Sequence, residues 1–164
     1  MAKKRRLSWA VMIDGRAIWT LNAVPKKSQY GESLRRFRGI EYRRWDPTRS
    51  KLGAAISRAR NTQYELLPQE GDTCLYLGAG HGTSLSHLHD QVCGQDNEKG
   101  GRIIAVDLSP RCLRDLVHLS RPLRVLCFLF WSFGAISCSC LSKSCSVLNS
   151  RSSIVLRSSG WLSF

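Results

Sequence analysis

The sequence predicts an α/β chain in which a small N-terminal β subdomain precedes an open parallel sheet wound by helices. Three observations carry this reading. Two apolar, aromatic stretches within residues 7–22 flank the dipeptide Asp14-Gly15. Two short apolar runs, residues 73–77 and 102–107, are each followed by a helical pattern, the alternation of a doubly wound sheet. The first of these runs leads directly into three alternate glycines, Gly78, Gly80 and Gly82. A length of 164 residues suits one domain of ordinary size with at most a small appendage.

Taken in order, Asp14-Gly15 supplies the positive φ angles of a type I′ turn and predicts a hairpin. Pro25 and the polar residues around it mark a loop. Residues 39–46 alternate as a second extended piece, with Ile40, Tyr42 and Arg44 on one face. Trp45 and Tyr42 are expected to be buried under the hairpin. Pro47 stops the extension, and SKLGAAISRAR then places Leu52, Ala55, Ile56 and Ala59 on one side of a helix. Glu70-Gly71-Asp72 is a turn, residues 73–77 a buried strand, and residues 84–92 a helix beyond the glycine loop. After the polar loop GQDNEKGG, RIIAVD is a second strand ending on Asp107. Ser109 is an N-cap with Pro110 at the first helical position. The helix that follows groups Leu113, Leu116 and Val117. The expected organisation is a basic β subdomain over residues 1–46, a partial parallel-sheet domain over 47–124 and a Ser/Cys-rich tail over 125–164.

The formal net charge of +13 points to a polyanionic partner, most simply nucleic acid. Its distribution is uneven: residues 1–60 hold 16 Lys/Arg against 4 Asp/Glu, and residues 61–124 hold 6 against 8. Arg35, Arg36, Arg38, Arg43 and Arg44, with Arg49, Lys51, Arg58 and Arg60 on the following helix, are expected to form a surface that meets phosphates. Taken singly, each is as well explained as part of a solvated face.

MAKKRR is basic, but Asp14 and Arg16 interrupt the segment after it, so no secretion signal is read and a cytoplasmic location is expected. The seven cysteines are then expected to be reduced thiols. Cys138, Cys140 and Cys145 lack a partner set at zinc spacing.

The glycine loop carries the clearest chemistry. A loop between a parallel strand and a helix lies at the carboxyl edge of the sheet, where open α/β sheets bind ligands. Gly78, Gly80 and Gly82 keep side chains out of the way of a ligand approaching the backbone, and the helix behind offers free N–H groups. Asp107 is placed to accept from the two hydroxyls of a ribose. Thr83 stands where a dinucleotide fingerprint has its third glycine, which favours a nucleoside cofactor over a dinucleotide. His87 and His89, two apart on a helix, point about 200° apart and cannot converge on a metal. They are expected to be surface or packing residues, with no metal site.

The runs QYGESLRRFRGIEYRRWDPTRSKLGAAI, LYLGAGHGTSLSH and IIAVDLSPRCLRDL resemble archaeal fibrillarin-like RNA 2′-O-methyltransferases in order and spacing. The resemblance covers about residues 3–123, and the WDPTRSKL block is its most specific part. It implies a Rossmann-like S-adenosyl-L-methionine domain, here truncated, and action inside a box C/D guide-RNA particle on rRNA or tRNA. The implied protein partners are a Nop5-type scaffold and an L7Ae-type protein, and no membrane is implied. By position, Thr83 and Ser84 match a donor-contacting threonine pair, and Asp107 and Leu108 an acidic-aromatic pair in which leucine replaces the ring. Lys51 matches the first lysine of the family's catalytic tetrad. With Gly78, Gly80 and Gly82 these complete the expected site.

The resemblance stops near Arg124. Residues 125–164 hold 12 serines, four cysteines and no Asp or Glu, so they lack the later acidic groups that the resemblance implies. The composition reads as translation in a shifted frame, and the tail is expected to be disordered or aggregating. It would then leave an unprotected sheet edge. Two other readings remain open. One is a noncatalytic RNA-particle component; the other is a small membrane protein led by the uncharged residues 125–141.

Overall fold

A computed structural model of the chain describes residues 4–59, 62–123, 126–129, 154–157 and 160–163. Arg60, Cys138, Cys140, Cys145 and most of the uncharged run over 125–141 lie outside the described residues. Among the described residues no helix is long and apolar enough to cross a membrane.

The N-terminal sheet contains β1 (Lys4–Arg6), β2 (Val11–Asp14), β3 (Ala17–Leu21), β4 (Leu34–Phe37) and β5 (Ile40–Trp45), in the order β1-β2-β3-β5-β4. All its pairings are antiparallel. Asp14 pairs with Ala17, so the hairpin loop is Gly15-Arg16, and Gly15 alone has a positive φ, of 63°. Positive φ at the first central position only is the type II′ pattern, which corrects the expected type I′. Asp14 is still in the strand, one place earlier than the turn needs. Alternation then gives the sheet two buried faces. Met12, Trp19 and Tyr42 cluster on one. Val11, Ile18 and Trp45 join the main core from the other.

The second sheet holds β6 (Thr73–Leu77), β7 (Arg102–Asp107), β8 (Leu126–Leu129), β9 (Ile154–Arg157) and β10 (Gly160–Ser163), in the order β10-β9-β6-β7-β8. Strands β6, β7 and β8 run parallel, whereas β9 and β10 are added antiparallel. The outer edge of β6 is therefore paired, through Leu75↔Leu156, Tyr76↔Val155 and Leu77↔Ile154. This departs from the expected bare edge; of the tail expected to be disordered, residues 126–129, 154–157 and 160–163 are strands, and its other residues lie outside the described ones. IVLR and GWLS have the β-branched, aliphatic and aromatic residues that strands favour, and two serines separate them.

Three helices connect the sheets: α1 (Lys51–Arg58), α2 (Thr83–Val92) and α3 (Pro110–Leu123). Ser50 caps α1, its hydroxyl accepting from the Gly53 amide at 3.1 Å. Leu52 and Ile56 carry the expected apolar face into the core. Ser109 and Pro110 start α3 as the sequence predicts, with the Cys112 amide donating to Ser109 Oγ at 3.4 Å. Leu116 and Leu119 are the inward residues of α3; Val117, expected beside Leu116, is 42% exposed. One position past Leu116 on a helix turns a side chain by about 100°, enough to face water.

Helix α2 explains how the sheets are joined. Every residue from Ser84 to Val92 is buried, although six of the nine are Ser, His, Asp or Gln. Burying polar groups is tolerable only when they are hydrogen-bonded, and nearly all of these are. Ser86 Oγ donates to the Thr83 carbonyl (2.9 Å), Gln91 Nε2 donates to the Pro68 carbonyl (2.8 Å), and Ser8 Oγ donates to Gln91 Oε1 (2.6 Å). His87 stacks on Trp45 with ring centroids 4.8 Å apart, and its Nδ1 lies 2.7 Å from Thr20 Oγ1. Arg43 reaches across from β5, with Nε 2.6 Å from Asp90 Oδ2 and Nη1 2.9 Å from Glu32 Oε1. The Arg43 side chain is 1% exposed, so it is a buried clamp and not part of the phosphate-facing surface expected for it. Its period-2 position puts it on the sheet face that α2 covers, opposite Tyr42.

Candidate functional site

The glycine loop begins where β6 ends. The Gly78 and Ala79 amides both donate to the Val106 carbonyl, at 2.9 and 3.1 Å, which folds the chain over the end of β7. Gly78, Gly80 and Gly82 have φ of 72°, 56° and 87°, in the left-handed region that only glycine enters cheaply. Two of them differ in what surrounds them. A Cβ on Gly80 would meet nothing within 4 Å, so the loop presents bare backbone to open space. A Cβ on Gly82 would lie 2.6 Å from Leu119 Cδ2 and 2.9 Å from the Tyr30 hydroxyl. Gly80 leaves room for a ligand; Gly82 leaves room for the protein's own packing.

Asp107 closes the loop from the neighbouring strand. Its Oδ2 accepts from the Gly80 amide at 2.6 Å and its Oδ1 from the Ser109 amide at 2.8 Å. Each carboxylate oxygen keeps a second lone pair for a ligand hydroxyl. Leu108, the next residue, is 71% exposed, an apolar surface at the mouth of the loop. Thr83 is half-buried in the first turn of α2, where the helix has N–H groups without internal partners. Ser84 points elsewhere: its Oγ lies 2.7 Å from Ser50 Oγ in the buried seam between α1 and α2. Its hydroxyl thus holds the helices together instead of facing the loop.

That seam places Lys51. Ser50 caps α1 and Lys51 is its first residue, so the Ser50–Ser84 contact ties the backbone of Lys51 to the start of α2. Lys51 is exposed, one residue past the Ser50–Ser84 contact. Arg35, Arg36, Arg38, Arg44, Arg49 and Arg58 are also exposed. Tyr30 braces the loop from the other side. Its hydroxyl donates to the His81 carbonyl at 2.6 Å, and Arg49 Nη1 donates to the Tyr30 carbonyl at 3.2 Å. Burial is the largest influence on that phenol and pushes it up to about 12, so it stays a donor at any ordinary pH. Nearby, burial pushes the Glu32 carboxyl up, but the Gln29 and Tyr30 amides and the Arg43 guanidinium outweigh it and hold it at about 2.

The sequence assigns no role to Tyr30 or Ser50, although both lie in the runs that resemble the family. Ser50 was legible as a favoured N-cap residue ahead of an apolar helical pattern. Tyr30 had no local signal, because its partner is 51 residues away. Among the described residues no group of three or more His, Cys, Asp or Glu could hold a metal ion. His87 and His89 are packing residues, both buried.

A parallel sheet with an open glycine loop and an acidic strand end at its carboxyl edge, joined to a basic antiparallel sheet, defines a Rossmann-like α/β protein. The parallel strands β6, β7 and β8 with α2 and α3 between them match a truncated Rossmann-like methyltransferase fold, to which β9 and β10 are added antiparallel. A family model described as fibrillarin matches residues 3–126, and the chain belongs to that family. The fibrillarin-like rRNA/tRNA 2′-O-methyltransferase of Methanosarcina barkeri is 38% identical over 123 residues, covering 73% of this chain and 50% of that relative. The protein of the same description from Thermococcus onnurineus is 46% identical over 102 residues, 62% of this chain and 42% of the relative.

Among solved structures, Aeropyrum pernix fibrillarin with natively bound S-adenosyl-L-methionine aligns with a TM-score of 0.64 at 36% identity. The alignment covers 79% of this chain and 58% of that one. A fibrillarin/Nop5p complex aligns with a TM-score of 0.58 at 33% identity, over 77% of this chain and 53% of that one. The chain spans about half the length of the curated relatives it matches.

Proposed function

We propose that this chain binds S-adenosyl-L-methionine in the glycine loop and belongs to the machinery that methylates ribose 2′-hydroxyls of rRNA or tRNA. The observation that carries this reading is the junction of Asp107 with the Gly80 amide in an open loop, together with an exposed Lys51. The residues present fit the cofactor. Asp107 would accept the ribose hydroxyls, the bare backbone of Gly78 and Gly80 would admit the donor's polar groups, and Leu108 would cover the base. Thr83 would contribute from the first turn of α2, and Ser84 through its backbone alone.

The cofactor supplies a methyl group already activated on a sulfonium. What remains for the protein is to align a 2′-oxygen in line with it and to ease loss of its proton. Lys51 would stabilise negative charge as it builds on that oxygen. The exposed arginines would hold RNA by its phosphates while a box C/D guide selects the nucleotide by pairing. A Nop5-type scaffold and an L7Ae-type protein would complete the particle, in the cytoplasm.

One observation favours a second reading. Residues 125–164 contain no Asp or Glu, so the later acidic groups of the family's site are not supplied by them. A chain that binds guide RNA without transferring methyl groups would need only the basic sheet. Calorimetric titration with S-adenosyl-L-methionine, followed by transfer of labelled methyl groups to guide-paired RNA, separates the two. Donor binding with incorporation that disappears in Lys51→Ala supports the enzyme. RNA binding with no donor binding would overturn it.

A further inference from the structure

The rim of the glycine loop carries a constellation that methyl transfer does not use. His81 projects from the loop, and Cys112 and Asp115 project from the first two turns of α3. His81 Nδ1 lies 2.5 Å from Asp115 Oδ2, and His81 Nε2 lies 3.9 Å from Cys112 Sγ. A carboxylate can only accept, so the close contact places the imidazole proton on Nδ1 and leaves the Nε2 lone pair directed at the thiol. The order thiol, imidazole, carboxylate is that of an activated nucleophile with its base and the group that orients the base.

Position adds to this. Cys112 is the third residue of α3, in the turn that faces the loop residue His81. The mount is firm at both ends: the His81 carbonyl is fixed by the Tyr30 hydroxyl, and α3 is anchored by the buried Leu116 and Leu119. Access is open as well. The His81 and Asp115 side chains are 55% and 52% exposed, and Cys112 is partly exposed. Two other thiols provide the contrast. Cys74 and Cys93 are buried, and burial, then the neighbouring Asp90 carboxylate, push the Cys93 thiol up to about 12.

We propose that Cys112, His81 and Asp115 form a thiol–disulfide exchange site that takes up small-molecule disulfides at the rim of the glycine loop. In the exchange His81 Nε2 receives the thiol proton and the Cys112 sulfur attacks one sulfur of the disulfide. The disulfide's S–S bond breaks as the new one forms. The released thiolate then takes the proton from His81, so the products are a mixed disulfide on Cys112 and one free small thiol. No other oxidant is required.

The test uses the full chain with oxidised glutathione as the probe. The rate of adduct formation at each cysteine is followed by peptide mass spectrometry and compared with a synthetic peptide spanning residues 108–118. Cys112 in the folded chain is expected to react at least ~10-fold faster than the peptide. His81→Gln, which keeps a polar side chain without the base, is expected to bring the rate down to that of the peptide. Asp115→Asn, which still accepts from Nδ1, is expected to lower it several-fold; circular dichroism checks that both variants are folded. A wild-type rate no faster than the peptide, an unchanged rate in folded His81→Gln, or adducts at Cys74 or Cys93 ahead of Cys112 would each overturn the proposal.

Discussion

The Tyr30 hydroxyl donates to the His81 carbonyl at 2.6 Å, fastening the loop ahead of α2 to the segment between β3 and β4. Removing that donor leaves the carbonyl to water and loosens the loop without altering any residue expected to touch the methyl donor. Tyr30→Phe should therefore weaken S-adenosyl-L-methionine binding about 2- to 10-fold, the span of a typical lost hydrogen bond. Calorimetry on the two proteins measures it, and an unchanged affinity would mean that the loop holds its shape unaided.

Gly82 and Gly80 separate strain from crowding. Both have positive φ, but only Gly82 lacks space for a methyl group. Gly80→Ala should cost about 1 kcal/mol through its backbone alone. Gly82→Ala should cost about 2–4 kcal/mol, since Leu116, Leu119 and Tyr30 must also move. Urea unfolding of the pair gives the difference, and equal losses would contradict the packing around Gly82.

Asp90 and Arg43 form the most buried ion pair in the described structure, both side chains at 2% exposure or less. Truncating Asp90 leaves the buried Arg43 guanidinium with Glu32 as its one remaining ion-pair partner among the described residues. Asp90→Ala should lose about 3–5 kcal/mol of stability. Asp90→Asn, which still accepts a hydrogen bond from Nε, should lose less. Denaturant titration ranks the two, and a reversed order would show that charge has no part in the clamp.

His87 predicts an acid-sensitive core. Burial, and then the positive charge of Arg43, hold its imidazole well below the ordinary value of 6.5. The unfolded chain then takes up a proton as pH falls through about 6.5 while the folded chain does not. Stability present above that pH should fall as the pH drops toward 5, by at most about 1.4 kcal/mol per unit. Thermal unfolding of His87→Gln should show a flatter profile over this window. Glu32 acts lower down: its contribution is present above about 4.5 and is lost as the pH approaches about 2.

How much of this was legible depended on how far apart the interacting residues lie in sequence. Strands β6 and β7 and the N-terminus of α3 followed from local pattern, because a short apolar run or a Ser-Pro pair says where an element begins whatever surrounds it. Lys4–Arg6 and Leu34–Phe37 were not read as strands, since charged residues dominate both and pairing with β2 and β5 supplies what propensity does not. Arg43 went to the surface on composition alone; its acidic partners come from residues 32 and 90, which no window joins. The burial of the polar residues of α2 was illegible for the same reason. A helix covered on all sides should be apolar, unless each polar group has a distant partner.

That helix also bears on how the molecule comes apart. With Thr20 and Arg43 on one side of α2 and Ser50 and Pro68 on the others, neither sheet can shed it without leaving polar groups dry and unmatched. Opening is then all-or-none across this seam, and damage far from the glycine loop reduces the number of molecules that have a loop at all, leaving its shape intact in those that remain folded.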